Sequence, residues 1–107
     1  MELNPELMAD GSYVYGKWLD SPDRFEVVNP ATGRVVARVA DGGNRVVERA
    51  IDAAHSAFPG WKAKTAKERS RLLYRWYELI MDHADGLAEI MTAEQGKPLA
   101  ESKGEVA

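Results

Sequence analysis

The spacing of apolar residues changes near residue 41 and divides the chain into two parts. Before this point, aromatic and β-branched residues occur in short runs separated by glycine and proline. After it, apolar residues recur every three or four positions. Short runs with turn residues are typical of strands, and the second spacing is typical of amphipathic helices. We therefore expect strands over about 13–40 and helices over about 44–107, an α+β arrangement.

Two antiparallel hairpins are predicted in the first part. Residues 13–15 and 17–18 read as a short strand pair joined at Gly16. Residues 25–29 and 34–39 flank Pro30-Ala31-Thr32-Gly33, where proline fits the first central turn position and glycine supplies a left-handed residue. The preceding residues, 1–12, are expected to form a flexible N-terminal arm.

Two long helices are predicted next. Asn44 is the predicted N-cap of the first, which Pro59-Gly60 should end. Thr65 and Glu68 form the sequence pattern of a capping box for the second.

The last segment of the chain predicts two shorter helices. After a break near residues 82–85, Asp82 or Asp85 can cap a third helix, which Gly96 closes before Pro98 starts a fourth. No stop signal follows Pro98, and a helix cut after about ten residues is shorter than the ~12–15 at which isolated helices become marginal. We therefore expect a chain that is truncated at its C-terminus, with three to four helices in total.

Composition indicates an ordinary soluble globular chain. It has 107 residues, 45% of them apolar and 29% charged, and neither a secretory signal nor an apolar run long enough for a membrane span. The absence of cysteine excludes disulfides, thiolate metal sites and cysteine nucleophiles and agrees with a cytoplasmic location. A net charge of −3 gives no general attraction to nucleic acid or anionic lipid.

No catalytic constellation can be assembled from the residues present. His55 and His83 each stand alone, without a partner at metal-ligand spacing. Six cations between Lys62 and Arg75, interleaved with aromatic residues, suggest nucleic-acid contact, but at helical spacing they also fit a solvated basic face, the interpretation we favour. Neither a nucleic acid nor a membrane is therefore expected as a partner.

Glu94 is unusual because an acid two residues before a helix-closing glycine faces the negative end of the helix dipole. A positive charge should lie nearby. Lys97 is the simpler candidate, and a bound hard cation, held by the carboxylate and backbone carbonyls, is the alternative.

Four segments together resemble the N-terminal part of the aldehyde dehydrogenase superfamily. Their order and spacing match, and the last resembles the succinate-semialdehyde dehydrogenase branch. The segments are 25–33 (FEVVNPATG), 50–61 (AIDAAHSAFPGW), 65–69 (TAKER) and 91–105 (MTAEQGKPLAESKGE).

The resemblance implies a larger α/β enzyme that oxidises succinate semialdehyde or a similar aldehyde to the carboxylate with NAD or NADP. In the family, the catalytic cysteine, the glutamate that activates water, the oxyanion-hole asparagine and the cofactor-binding elements lie downstream of this region. No catalytic or cofactor-binding residue can therefore be assigned here. We expect the chain alone to be inactive and to bind no cofactor, with the remainder of the enzyme or homo-oligomer contacts as partners.

Two further expectations accompany this resemblance. In some family members a monovalent cation binds near the corresponding turn, and the matching positions are Val27, Val28 and Glu94, where glutamate replaces the aspartate of the family. The alternative to an enzyme fragment is a helical interaction module that binds a protein partner through the stripe of Leu72, Trp76, Ile80 and Leu87.

Overall fold

A computed structural model describes residues 2–107 as two β-hairpins followed by four helices, a flat body of 48 × 33 × 19 Å. This order confirms the predicted α+β class. The strands are β1 (Ser12–Val14), β2 (Lys17–Leu19), β3 (Arg24–Val28) and β4 (Val35–Ala40), and the helices are α1 (Gly43–Ala63), α2 (Ala66–Asp82), α3 (Ala84–Gln95) and α4 (Leu99–Val106).

Both hairpins are antiparallel, as the turn residues predict. β1 and β2 are joined by Tyr15 and Gly16, which both have positive φ angles, 51° and 76°, as a tight primed turn requires. β3 pairs with β4 with an irregularity between Val27 and Val28, and Gly33 takes the left-handed conformation at φ 73°.

The segment before β1 contacts the second hairpin. It contains a short 3₁₀ turn, Pro5–Leu7, in which Asn4 accepts a hydrogen bond from the backbone N–H of Glu6 at 3.0 Å. The Asp10 carbonyl accepts a further bond from the Ala40 N–H at 2.7 Å. The flexibility of residues 1–12 stays a prediction, and Met1 lies outside the described residues.

The predicted ends of α1 are both wrong. The helix begins at Gly43 and has no side-chain cap, so Asn44 does not serve as the N-cap. It also continues through Pro59 to Ala63. Proline removes its own N–H bond from the ladder and its ring crowds the carbonyl four residues earlier, but in this exposed segment near the helix end the remaining turn still closes.

The predicted capping box of α2 is confirmed. Thr65 Oγ1 accepts from the Glu68 N–H at 3.2 Å, and the Glu68 carboxylate accepts from the Thr65 N–H at 3.0 Å. The caps expected from Asp82 or Asp85 are wrong, because His83 alone separates α2 from α3 and makes no side-chain cap. Leu87 donates to the His83 carbonyl at 3.0 Å, so α3 starts directly from this junction.

Fully buried side chains are rare in the described residues. Ala88 on α3 and Ser102 on α4 are the two with no exposure, whereas large apolar side chains such as Trp76 remain 64% exposed. The best-packed region is thus the corner between α3 and α4. No helix in residues 2–107 has the length and apolar content needed to cross a membrane.

Candidate functional site

The end of α3 lies against the turn between β3 and β4. Gly96 ends α3 in the left-handed conformation at φ 86°, and its N–H donates to the Thr92 carbonyl at 2.8 Å. A Cβ atom at this position would lie 2.6 Å from Cγ of Pro30. The Gly96 turn and the Asn29-Pro30 turn are therefore in direct contact, and we call this contact the Gly96 corner.

Asn29 shapes the strand side of the Gly96 corner. Its side-chain oxygen accepts from the Ala31 N–H at 2.9 Å, and its carbonyl accepts from the Gly33 N–H at 2.8 Å. Its own N–H donates to the Arg34 carbonyl at 2.8 Å. Asparagine makes such local bonds readily, which is why this Asn-Pro turn presents a fixed surface to α3.

The structure places the three predicted cation ligands on the two elements that meet at this corner. Val27 is half-buried opposite Ala37, Val28 is exposed opposite Val35, and Glu94 is exposed in the last turn of α3. Within residues 2–107 no cluster of three or more His, Cys, Asp or Glu side chains could hold a metal. Any ion here would therefore depend on backbone carbonyls and one carboxylate, and the site stays a prediction.

Lys97 does not neutralise Glu94. Its ammonium group forms an ion pair with Glu105 of α4. No ion pair to Glu94 occurs in the part of the chain that the structure describes. The simpler sequence interpretation is wrong, because the reversal of the chain at Gly96 brings α4, and with it Glu105, to the lysine.

A hydrogen-bonded pair of hydroxyl groups connects α3 with α4. Thr92 Oγ1 and Ser102 Oγ lie 2.8 Å apart, and Ser102 has no exposed surface. Lys103 adds an outer ion pair to Asp85 at 3.7 Å. This hydroxyl pair was not predicted from the sequence, since it depends on how the two helices cross and its only signal is a small polar residue on an apolar face.

A cluster of charged side chains connects the start of β3 with the residues that flank the first hairpin. Arg24 donates to the Arg38 carbonyl at 2.9 Å and to Asp10 at 3.2 Å, and it also pairs with Asp20. The Ser21 N–H bond, followed by the Arg24 side chain, lowers the pKa of Asp20. The hydrogen bond to Asp20 likewise raises the pKa of Arg24. These ion pairs hold the start of β3 against the residues on either side of the first hairpin.

Four of the six cations of the predicted basic face lie on α2, and all six are exposed except Arg69, which is partly buried. Arg75 pairs with Glu78 at 3.6 Å. His55 lies on exposed α1 and His83 lies between α2 and α3, and neither belongs to a group of three or more potential metal ligands within residues 2–107.

Comparison with known proteins identifies the protein family of this chain. The model of the "Aldehyde dehydrogenase family" matches residues 18–107. The chain belongs to the aldehyde dehydrogenase family, as the four sequence segments indicated.

Individual relatives agree with this assignment. The chain is 50% identical over 104 residues to the glutarate-semialdehyde dehydrogenase of Pseudomonas putida, a match that covers 95% of this chain and 22% of the relative. It is 46% identical over 109 residues to the NADP(+) succinate-semialdehyde dehydrogenase of Escherichia coli, covering 99% of this chain and 23% of the relative.

A solved structure shows the same arrangement of elements. The crystal structure of succinate-semialdehyde dehydrogenase from Burkholderia pseudomallei superposes with a TM-score of 0.91 at 46% identity, over 96% of this chain and 22% of that one. The chain thus spans about a fifth of the length of the relatives it matches.

Proposed function

We propose that this chain serves as the N-terminal portion of an NAD(P)-dependent aldehyde dehydrogenase that oxidises succinate semialdehyde or a similar aldehyde in the cytoplasm. The observation that carries the proposal is the family match over residues 18–107, combined with relatives that are between four and five times longer.

The proposed substrate class follows from the names of two relatives. One is named for glutarate semialdehyde and the other for succinate semialdehyde. Both compounds carry an aldehyde at one end and a carboxylate at the other. We therefore propose a short aldehyde with a distal carboxylate, and NAD or NADP as the electron acceptor.

The role of these residues in such an enzyme is structural. The chain contains no cysteine and so lacks the catalytic cysteine that the resemblance implies for the enzyme. The apolar side chains Leu72, Leu73 and Trp76 of α2 remain exposed, which suits a segment that packs on a larger body. The chain alone is expected to be inactive and to hold no nicotinamide cofactor.

The test is a graft in which this chain replaces the aligned segment of the E. coli relative. The graft should reduce NADP+ with succinate semialdehyde, whereas the purified 107-residue chain should show no turnover with either semialdehyde. A soluble, folded graft without activity, or turnover by the chain alone, would contradict the proposal. The unmodified E. coli enzyme serves as the positive control.

The competing proposal is a helical interaction module. Leu72 and Trp76 of its predicted stripe are exposed, although Ile80 and Leu87 are half-buried. A module should be monodisperse and melt cooperatively by itself. Sedimentation and calorimetry on the isolated chain distinguish it from an enzyme portion, which should associate non-specifically or melt without a sharp transition.

A further inference from the structure

Arg69 lies inside the apolar face of α2. In a helix, residues three, four and seven positions apart share one side. Arg69 therefore shares its side with Leu72, Leu73 and Trp76, which are 52%, 53% and 64% exposed. The other α2 cations, Lys67, Arg71 and Arg75, follow one another at intervals of four residues on a different side.

Arg69 also lines a groove between α1 and α2. The walls of this groove are mainly aromatic and aliphatic, and its polar groups are the Arg69 guanidinium, a serine hydroxyl and two tyrosines. Its lining residues are Trp61, Ala66, Arg69, Ser70, Leu73, Tyr74 and Tyr77. Arg69 is partly buried and forms no ion pair within the described residues 2–107.

A partner that covers this apolar face must also cover the guanidinium. Removal of a cation from water is unfavourable unless the partner supplies a matching acceptor. Arginine pairs best with a carboxylate, through two parallel hydrogen bonds. The chemistry of this surface thus specifies an apolar partner that carries one carboxylate.

We propose that the C-terminal part of the enzyme covers this face and places a carboxylate against Arg69, while the Arg71 side of α2 stays in solvent. This inference rests on the proposed function, since about four-fifths of each relative lies outside the region that aligns with this chain. Arg69 is then a positioning residue that fixes how α2 seats on the rest of the enzyme.

The graft tests this contact with a matched pair of variants on one helix. R69Q should lower the melting temperature of the graft by several degrees and reduce its yield of active enzyme. R71Q, two residues away on the basic side, should leave both unchanged. R69K should recover part of the loss, because it restores the charge without the planar fork.

A chemical readout identifies the partner group directly. In the R69K graft, a carbodiimide should link the introduced amine to the opposing carboxylate as an amide, and peptide mass spectrometry should assign that acid to the C-terminal part. R71K should give no such link.

The possible failures are distinguishable. A wild-type graft that does not fold into active enzyme overturns the proposed function and this contact together. An active graft in which R69Q and R71Q behave alike, or in which R69K links to no C-terminal acid, overturns the contact alone.

Discussion

Gly96 lies so close to Pro30 that no side chain fits between them, since a Cβ on residue 96 would be 2.6 Å from the proline Cγ. The contact joins the end of α3 to the turn between β3 and β4. The two segments are more than sixty residues apart in sequence, so the contact brings the second hairpin against the end of α3.

Gly96→Ala should destabilise the graft, in which this chain is joined to the rest of an enzyme, through two effects. The left-handed conformation, φ 86°, alone costs an alanine about 1–2 kcal/mol, and the clash with Pro30 adds to it. Urea unfolding of the graft, followed by circular dichroism, measures the difference from the unsubstituted graft. Gly104→Ala is the control, because a Cβ at this position would have no heavy atom within 4 Å apart from its chain neighbours and its own helix backbone. Since the site is helical, the alanine should increase the free energy of unfolding by roughly 0.5–1 kcal/mol. Equal effects of the two changes would contradict the close contact.

The hydroxyl pair between α3 and α4 should show strong coupling. Thr92→Val leaves the fully buried Ser102 hydroxyl without its 2.8 Å partner, at a cost of about 1–3 kcal/mol. Ser102→Ala should cost less, because Thr92 is only half-buried. The double variant should lose less than the sum of the single changes, and a strictly additive double-mutant cycle would show that the hydrogen bond contributes nothing.

The predicted cation site gives a salt-specific test. If Val27, Val28 and Glu94 hold a monovalent ion, potassium or sodium chloride should raise the melting temperature of the graft above that in an equal concentration of choline chloride. Glu94→Gln should abolish this difference, since it removes the only carboxylate of the set. Glu101→Gln, an exposed acid of α4, is the control. Identical melting in all three salts would argue against an ion at this corner.

Local signals in the sequence predicted much of the fold. Gly33, Gly96 and the Thr65–Glu68 capping box each act within a few residues, and the structure confirms all three. The predicted end of α1 was wrong because the prediction gave Pro59 more weight than the helix-forming residues that follow it.

Tertiary contacts could not be predicted in the same way. The Lys97–Glu105 and Thr92–Ser102 pairs depend on how α4 folds back on α3, and the contact of Gly96 with Pro30 depends on where the second hairpin lies. The family resemblance supplied the hypothesis of a cation site at Val27, Val28 and Glu94. The structure adds that the turn after β3 contacts the end of α3.

The carboxyl group of Asp20 should titrate below its ordinary range. The Ser21 N–H donates to it at 2.7 Å and Arg24 pairs with it, so both stabilise the ionised form and lower the pKa. Because the folded pKa is lowered, the resulting stabilisation is fully present above the unfolded pKa and is lost as the pH falls through the folded pKa.

Carbon-detected NMR of the side-chain carboxyl gives this midpoint directly. Arg24→Gln should raise the Asp20 midpoint only part of the way, since the Ser21 N–H, the larger cause, remains in place. Arg34→Gln removes a cation that makes no ion pair with Asp20 and should leave the midpoint unchanged. Both variants keep the backbone turn at Ser21, so a difference between them reports the charge of Arg24 itself. A wild-type midpoint at the ordinary aspartate value would show that neither donor holds this carboxylate in solution.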